Sequence, residues 1–330
     1  MLILTKSVLA MMISFFGSVI LGYFIIPILK KLNIRQNISI HLEERHNKKS
    51  GIPTMGGLIF ILSTFITVVV LLLTDKLEFS SNMGITLLVF LGYALIGFID
   101  DFLSLKRKNN NGLSNLQKLF LQLIIAIVFF VIFLHYGGKP VLEIYTLNIR
   151  IDMGYLYGLF LLIVLVGSSN AVNLTDGLDG LAGGLAVIAF LSLGIIAWGS
   201  TWVVGHEGLA ILCFIITGAV FGFLFYNAHP AKVFMGDTGS LSLGATLATI
   251  AILTDHELTL LVIAGVYVVE TLSVIIQTIS VKYFKKKVFL MTPLHHHFEK
   301  LGWKEQDIVR TFWVVGLLLA MAGIGFGVWI

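Results

Sequence analysis

Apolar residues follow one another in long runs along the chain, separated by short polar segments. A run of about 18 or more apolar residues is long enough to cross a bilayer as a helix. The ten predicted helices lie near residues 7–29, 55–73, 84–100, 116–135, 155–172, 177–198, 208–225, 239–253, 258–281 and 307–330. The pattern predicts an all-α polytopic integral membrane protein with about ten transmembrane helices, organised as a single domain over residues 1–330.

One segment shows the alternation of a β-strand instead. The stretch KPVLEIYTLNIRIDMG, residues 139–154, alternates apolar and polar positions. Such alternation is typical of half-buried strands. We therefore expect a small hairpin between the fourth and fifth helices.

The composition agrees with a membrane protein. Hydrophobic residues make up 57% of the chain and charged residues 12%, and the mean hydropathy is +0.97. These values exclude a soluble domain. The single cysteine, Cys213, lies inside an apolar run, so no internal disulfide is possible.

Basic residues are concentrated in alternate loops. Eighteen of the 22 lysines and arginines lie in the loops 30–54, 101–118, 226–238 and 282–310. Cytoplasmic loops carry such an excess. The distribution predicts that both termini lie outside the cell and that the turn at residues 173–180 is cytoplasmic. Membrane lipids are the expected surroundings, and no nucleic acid is expected as a partner.

Five of the nine aspartates fall at predicted cytoplasmic helix ends. Asp100 and Asp101 close helix three, Asp176 and Asp179 open helix six, and Asp237 opens helix eight. Capping of a helix start accounts for Asp176 and Asp237, and for Asn173 and Thr175, as readily as function does. It does not account for the first pair, because the dipole at a helix C-terminus repels anions. A binding site for a cation or a substrate is the better interpretation of that pair.

The acids favour a hard cation. Adjacent aspartates on a helix point about 100° apart, so Asp100 and Asp101 face different partners. Asp176 and Asp179 share a face if both are helical. Carboxylates without cysteine clusters suit Mg²⁺, which takes one or two carboxylates together with waters and phosphate oxygens. A phosphate-bearing substrate follows from this preference.

Three consecutive histidines form a second polar cluster, in TPLHHHFEK at residues 292–300. A zinc site is disfavoured, because consecutive side chains do not converge on one ion. Histidines that donate hydrogen bonds to phosphate, one of them changing its protonation state, fit the spacing better. A solvated interfacial loop is the alternative.

Two more polar segments favour a nucleotide diphosphate. Lys48 and Lys49 precede the turn GIPTMGG, where they suit a diphosphate, although positive charge on the inside alone also explains them. In YNAHPAKVFMGD, Asn227 is suited to bond a base and Phe234 to stack on it. An interfacial anchor is the alternative for the phenylalanine.

The ordered motifs identify a family. GIPTMGG, GFIDD, GLSNLQK, NLTDGLDGLAGG, NAHPAKVFMGDTGSLSLG, VVETLSV and TPLHHHFE follow one another over nearly the whole chain. This set resembles the phospho-N-acetylmuramoyl-pentapeptide transferases of the polyprenyl-phosphate N-acetylhexosamine-1-phosphate transferase superfamily. The three-histidine motif is similar to the muramoyl-pentapeptide branch rather than to relatives that use simpler UDP-sugars.

The resemblance implies a reaction and a place. Phospho-MurNAc-pentapeptide passes from UDP-MurNAc-pentapeptide to undecaprenyl phosphate, which yields lipid I and UMP for peptidoglycan synthesis. Mg²⁺ is the implied cofactor. The implied location is the cytoplasmic face of the bacterial inner membrane, in a multi-pass protein, with a homodimer as the candidate assembly.

The resemblance also implies site residues. The implied catalytic residues are Asp100, Asp101, Asp237 and His295, with Asp237 as the metal ligand. The implied nucleotide and substrate residues are Lys49, Thr54, Lys118, Asn173, Asp176, Gly177, Leu178, Asp179, Asn227, Phe234, His296 and His297. Members of the family often carry a lysine where this chain has Ser104. Lys106 and Lys118 are the candidates to take its place.

Three other functions were weighed against this one. A related transferase for another UDP-HexNAc is the nearest. A secondary transporter is the alternative of a different class, because Glu270 falls near the middle of predicted helix nine; the acids nevertheless concentrate at one face rather than at the midplane. A CDP-alcohol phosphotransferase is excluded, since Gly183 and Gly184 follow DGLDG where that motif requires other residues.

Overall fold

The computed structural model describes residues 3–32, 51–107, 112–144, 149–199 and 206–328. The helices are α1 (Ile3–Lys31), α2 (Gly57–Leu73), α3 (Ser81–Lys106), α4 (Asn115–His135), α5 (Leu156–Thr175), α6 (Leu181–Gly199), α7 (Glu207–Asn227), α8 (Gly236–Leu253), α9 (Glu257–Ile263), α10 (Gly265–Ile279), α11 (Leu294–Lys300) and α12 (Glu305–Val328). Strands β1 (Val141–Ile144) and β2 (Ile149–Asp152) pair antiparallel, with Val141 opposite Asp152. The expected hairpin is thereby confirmed.

Every predicted helix has a counterpart, with two differences. The predicted ninth helix consists of α9 and α10, which meet at Ala264, and a π-helical turn (Ser280–Phe284) continues it. Helix α11 was not expected, because its sequence LHHHFEK is short and polar. An apolar run therefore reveals where a helix crosses the membrane but not where its axis changes direction.

The helical character confirms a polytopic membrane protein. Within the described ranges, eight helices are long and apolar enough to span a bilayer by length and composition, and α2 is a shorter apolar helix. The count of ten spans stays a prediction. Helix α8 forms the centre of the bundle, since every residue from Thr238 to Leu253 is buried.

Helices α3 and α8 touch at a glycine. A Cβ added at Gly97 would lie 2.1 Å from the backbone oxygen of Asp237, so only glycine allows this approach. The contact holds the start of α8 directly against the part of α3 that carries Asp100 and Asp101.

The two ends of the bundle differ in character. The first we name the hairpin end, because β1 and β2 lie there. Lys6 Nζ lies 3.6 Å from Glu207 at the start of α7, and His256 Nε2 lies 3.0 Å from the backbone oxygen of Gly327. His206 and Asp255, the chain neighbours of Glu207 and His256, line one cavity with Glu143 of β1. The beginning of α1 and the end of α12 therefore lie at the hairpin end. The opposite end, which we name the aspartate end, carries Asp100 and Asp237.

Candidate active site

The positions of the aspartates correct two expectations. Helix α3 continues to Lys106, so Asp100 and Asp101 lie inside it and not at its C-terminus. The helix continues past the two aspartates because Leu103, Leu105 and Lys106 are good helix formers. The dipole argument applied to this pair was therefore wrong.

Asp176 and Asp179 were expected to open helix six, and this expectation was also wrong. Helix α5 ends at Thr175 and α6 begins at Leu181, so both aspartates lie in the connecting turn. The physical reason is Gly180, whose φ of +79° belongs to a turn and not to a helix. Asp237 does lie in the first turn of α8, as expected.

Asp101 holds the start of α8. Its Oδ2 accepts hydrogen bonds from the backbone N–H of Thr238 at 3.0 Å and from the Thr238 hydroxyl at 2.6 Å, and its Oδ1 accepts from the N–H of Asp237 at 3.3 Å. A buried carboxylate from α3 thus satisfies free N–H groups of another helix. Gly236 has a φ of +73°, and a Cβ there would lie 2.6 Å from Asp101 Oδ2. The carboxylate and the glycine together set the position of Asp237.

The Asp237 carboxylate is thereby left for other partners. Its Oδ2 lies 2.5 Å from Lys118 Nζ, and its Oδ1 accepts a hydrogen bond from Asn173 Nδ2 at 2.7 Å. Lys118 Nζ also lies 3.3 Å from Asp100 Oδ1, which accepts from the N–H of Leu113 at 2.8 Å. Capping of α8 is therefore the work of Asp101 and not of Asp237.

Helices α3, α4, α5 and α8 each contribute to this arrangement. We name its members the aspartate cluster: Asp100, Asp101, Lys118, Asn173 and Asp237. The ammonium group of Lys118 contacts the carboxylates of Asp100 and Asp237, and Asp101 and Asp176 place two more acidic side chains nearby. Burial, together with the carboxylates of Asp237, Asp101 and Asp179, raises the pKa of Asp176 well above its usual range.

The donor set of the cluster fits Mg²⁺. Carboxylate oxygens of Asp100 and Asp237 converge on a single cationic atom, Lys118 Nζ. Both carboxylates keep some exposure, 13% and 23% of the side chain, so a substrate oxygen has access. Hard oxygen ligands with room for phosphate and water are what this ion prefers.

A second group of potential metal ligands lies beside the cluster. The ligand atoms of Asp179, His229 and Glu305 lie within 4.8 Å of one another, and in the part of the chain that the structure describes no other trio converges in this way. His229 Nδ1 lies 3.2 Å from Asp179 Oδ2, which also accepts from the N–H of Ala231 at 3.1 Å. The N–H of Asp179 donates to Glu305 Oε1 at 2.8 Å.

These bonds join three separate segments. We name Asp179, His229 and Glu305 the Asp179 clamp, because it ties the 176–180 turn and the 228–231 loop to the start of α12. Sequence reasoning missed His229 and Glu305. No local pattern marks them, since Asp179 and Glu305 are 126 residues apart.

The expected base-binding residues lie together. Asn227 is buried and donates from Nδ2 to the Val233 oxygen at 3.0 Å, while its Oδ1 has no hydrogen-bond partner in the described chain. The backbone of Phe234 bonds to Pro53 and Gly56 at 2.8 Å each, so the GIPTMGG turn lies directly beside it. A buried amide oxygen without a partner is an acceptor for the N–H of a ligand.

Of the other expected nucleotide-binding residues, Thr54 belongs to the GIPTMGG turn, and Gly177 and Leu178 belong to the turn between α5 and α6. Thr54 is buried and lies beside Gly236, since a Cβ added at Gly236 would lie 2.8 Å from Thr54 Oγ1. Leu178 is buried and Gly177 is partly exposed. Lys49 lies outside the described residues.

The three histidines have three different partners. His295 is buried, and both its N–H and its Nδ1 lie 3.2 Å from Glu270 Oε1. His296 Nδ1 lies 2.6 Å from Glu299 Oε2, and His297 Nδ1 accepts from the N–H of Leu290 at 3.2 Å. The expectation that these side chains do not converge on one ion agrees with these contacts.

His295 also faces the nucleotide side of the site. A Cβ at Gly177 would lie 2.3 Å from His295 Nε2, and this nitrogen has no hydrogen-bond partner within the described segments. Glu270 supported the transporter alternative, but its carboxylate bonds His295 and so links α10 to α11.

Comparison with known proteins agrees with the motifs. A family model described as Glycosyl transferase family 4 matches residues 83–255, and the model Phospho-N-acetylmuramoyl-pentapeptide-transferase signature 1 matches residues 49–61. A phospho-N-acetylmuramoyl-pentapeptide-transferase of Geobacillus sp. (strain WCH70) is 51% identical over 98% of each chain. The enzyme of that name from Bacillus subtilis (strain 168) is 48% identical over 97% of each chain.

The chain belongs to the phospho-N-acetylmuramoyl-pentapeptide transferases. The predicted family and the predicted class of enzyme are thereby confirmed. In this transferase the position of Ser104 leaves the cluster without a lysine from α3, and the ammonium group comes from Lys118 of α4 instead. Of the two lysines considered for that place, Lys118 is the one whose side chain reaches the carboxylates.

Proposed function

We propose that the aspartate cluster transfers phospho-MurNAc-pentapeptide from UDP-MurNAc-pentapeptide to undecaprenyl phosphate, which forms lipid I and UMP. The observation that carries the proposal is the convergence of Asp100 and Asp237 on Lys118, with Asn173 fixing the second oxygen of Asp237. A phosphoryl group needs both a cation site and a cationic side chain nearby, because negative charge must be stabilised during its transfer.

Asp237 and Asp100 are the residues that would hold Mg²⁺. When bound, the ion neutralises charge on the diphosphate. Lys118 adds a positive charge between the two carboxylates, and Asn173 orients Asp237. Asp101 acts through Asp237, because its hydrogen bonds fix the start of α8.

The nucleotide side of the site has its own residues. Asn227 offers the unpartnered Oδ1 to the base and Phe234 offers a ring to stack on it. The 176–179 turn, with Thr54 and Lys49, binds the rest of the uridine diphosphate. His295, His296 and His297 close over the substrate from α11, and the unpartnered His295 Nε2 is a donor or acceptor for it.

We propose direct attack by the lipid phosphate. Asp100 orients the undecaprenyl phosphate, whose oxygen forms a bond to the β-phosphorus of the UDP-sugar. The bond from that phosphorus to the bridging oxygen breaks, and UMP leaves with this oxygen. The lipid phosphate is already an anion near neutral pH, so positioning and charge stabilisation suffice.

We further propose that the aspartate end faces the cytoplasm in the bacterial inner membrane. The basic residues Lys31, Arg107 and Lys282 lie at this end of their helices, as expected for a cytoplasmic face. They also attract the anionic nucleotide. A homodimer remains part of the proposal, to be read from the mass of the purified protein.

The test uses the purified full chain in detergent. UDP-MurNAc-pentapeptide and undecaprenyl phosphate should yield UMP and lipid I, EDTA should stop the reaction and added Mg²⁺ should restore it. UDP-GlcNAc should not replace the pentapeptide substrate. Turnover with UDP-GlcNAc alone would establish the related transferase instead.

A second assay separates direct attack from a covalent enzyme intermediate. Protein stripped of polyprenyl phosphate receives the UDP-sugar and labelled UMP. Direct attack predicts no exchange of the label into the UDP-sugar. Rapid exchange that Asp100→Asn abolishes would require a covalent intermediate.

A further inference from the structure

A cavity of about 450 Å³ lies at the hairpin end of the bundle. Leu253 and Asp255, at and just beyond the end of α8, line it, whereas Asp237 lies at the start of that helix. Along α8, Leu253 lies about 24 Å from Asp237, at 1.5 Å of rise per residue. The cavity is therefore distinct from the proposed active site.

Polar side chains from several segments reach this cavity. They come from the start of α3, the hairpin and the segments that flank α7 and α8: Asn82, Lys139, Glu143, Arg150, His206 and Asp255. Its other walls include Ile85, Phe133 and Ile252, so the cavity has an apolar part as well.

His206 is the most informative of these side chains. It is 3% exposed, and its Nδ1 has no hydrogen-bond partner anywhere in the described ranges. Burial, with a smaller effect of nearby His256, lowers the pKa of His206 and so favours the neutral ring. A buried polar atom without a partner is costly, and a ligand in the cavity would remove that cost.

The charges of the lining indicate what kind of ligand fits. Arg150 Nε lies 3.1 Å from Glu143 Oε1, so these two neutralise each other. Lys139 and Asp255 form no ion pair within 4.0 Å among the residues that the structure describes. Burial raises the pKa of Asp255, and Lys139 is nevertheless near enough to act against that rise. A ligand that carries both charges would contact one cationic and one acidic side chain here.

A metal ion does not fit this lining. Glu143, Asp255 and His206 do not bring three ligand atoms within 4.8 Å of one another, by the same search of the described chain that found the Asp179 clamp. A simple anion also fits poorly, because two carboxylates lie in the wall.

We propose that this cavity binds the zwitterionic headgroup of a phospholipid, with its ammonium group at Asp255, its phosphate at Lys139 and a polar oxygen or nitrogen at His206 Nδ1. The cavity lies where α3 begins and where α4 and α8 end, which is the level of lipid headgroups for helices that span a bilayer. Tyr136, 61% exposed at the end of α4, lines it as an aromatic residue of that interface.

The experiment measures binding of a short-chain lipid to the purified full chain. The probe is dihexanoyl phosphatidylethanolamine, titrated in detergent and followed by calorimetry. Wild-type protein should bind it saturably. Asp255→Asn and Lys139→Gln should each weaken binding about tenfold, the effect of one lost charge-assisted hydrogen bond.

Two matched variants serve as controls. Asp75→Asn changes an exposed aspartate that shares the left-handed backbone of Asp255, with φ of 53° against 57°. Lys76→Gln changes an exposed lysine outside the cavity. Both should bind the probe as wild type does. Release of UMP at the wild-type rate by all four variants would show that they are folded, since none of these residues belongs to the aspartate cluster.

Two further probes identify the source of the headgroup. Dihexanoyl phosphatidylglycerol lacks the ammonium group and should bind about tenfold more weakly than the zwitterion. Free phosphoethanolamine should bind more weakly than the lipid. If both bind equally well, the cavity recognises the same chemical groups on a soluble ligand, and the assignment to a phospholipid is wrong. Absence of saturable binding by wild type, or equal binding by wild type and both cavity variants, would overturn the proposal.

Discussion

Lys118 shows how one side chain connects the chemistry of this protein to its stability. Its Nζ lies 2.5 Å from Asp237 and 3.3 Å from Asp100, so it separates two carboxylates that would otherwise repel each other. We propose that the same ammonium group also contacts a substrate phosphate, in addition to its contacts with the two acids.

Replacement of Lys118 by methionine tests this dual role. Lys118→Met should lower the rate of UMP release about 100-fold, the cost of removing one group that stabilises the transition state. Lys31→Met, an exposed lysine at the same end of the bundle, is the control and should act as wild type. Equal rates for both variants would exclude Lys118 from the reaction.

Single residues differ in how far the sequence predicted them. Asp100 and Asp237 stood out because acids are rare in an apolar chain. The contact of Asp101 with Thr238 did not, because it joins residues 137 positions apart and a sequence pattern reports only local order. His229 and Glu305 were missed for the same reason.

The packing of α3 against α8 is the element-scale feature on which the aspartate cluster depends. Gly97 lets the two helices approach until a Cβ there would lie 2.1 Å from the Asp237 backbone oxygen. Asp101, one helical turn further along α3, then reaches the start of α8. Separation of the helices would break this bond.

Gly97→Ala should therefore destabilise the protein by about 1–3 kcal/mol, the range typical of overpacking, and should also lower transferase activity. The measurement is thermal unfolding together with UMP release. Gly167→Ala is the matched control, since a Cβ at this position of α5 meets no atom within 4 Å. A loss of stability as large in Gly167→Ala would mean that helical glycines matter irrespective of the α3–α8 contact.

The sequence predicted that each long helix exists more accurately than it predicted where each helix ends. Runs of apolar residues predicted each spanning helix, because the bilayer demands them. The end of α3 was predicted near residue 100 but lies at Lys106, since a helix can continue into the membrane interface where the hydropathy of the sequence falls. Helix α11 escaped prediction because its packing depends on the distant Glu270.

For the whole molecule, the separation of two ends is the main result. The beginning of α1, the end of α12, the hairpin and the cavity of about 450 Å³ lie at the hairpin end, and the aspartate cluster lies at the other end. The excess of basic residues predicts that the aspartate end is cytoplasmic.

Cysteine labelling tests that orientation. The chain has a single cysteine, Cys213, which is buried in α7, so introduced cysteines give a clean signal. Lys76→Cys should react with a membrane-impermeant maleimide in intact cells, and Lys300→Cys should react only after the membrane is opened. The reverse pattern would place the aspartate end outside.

The most direct test of the central claim is the rate of UMP release by Asp237→Asn, measured with UDP-MurNAc-pentapeptide, undecaprenyl phosphate and Mg²⁺. Asp307→Asn, which changes an exposed aspartate in the first turn of α12, is the control. We expect Asp237→Asn to melt at the wild-type temperature and to lose about 100-fold or more in rate, because an amide is a weaker and uncharged ligand. A rate near that of wild type at ordinary magnesium would contradict the assignment of the aspartate cluster as the site of transfer.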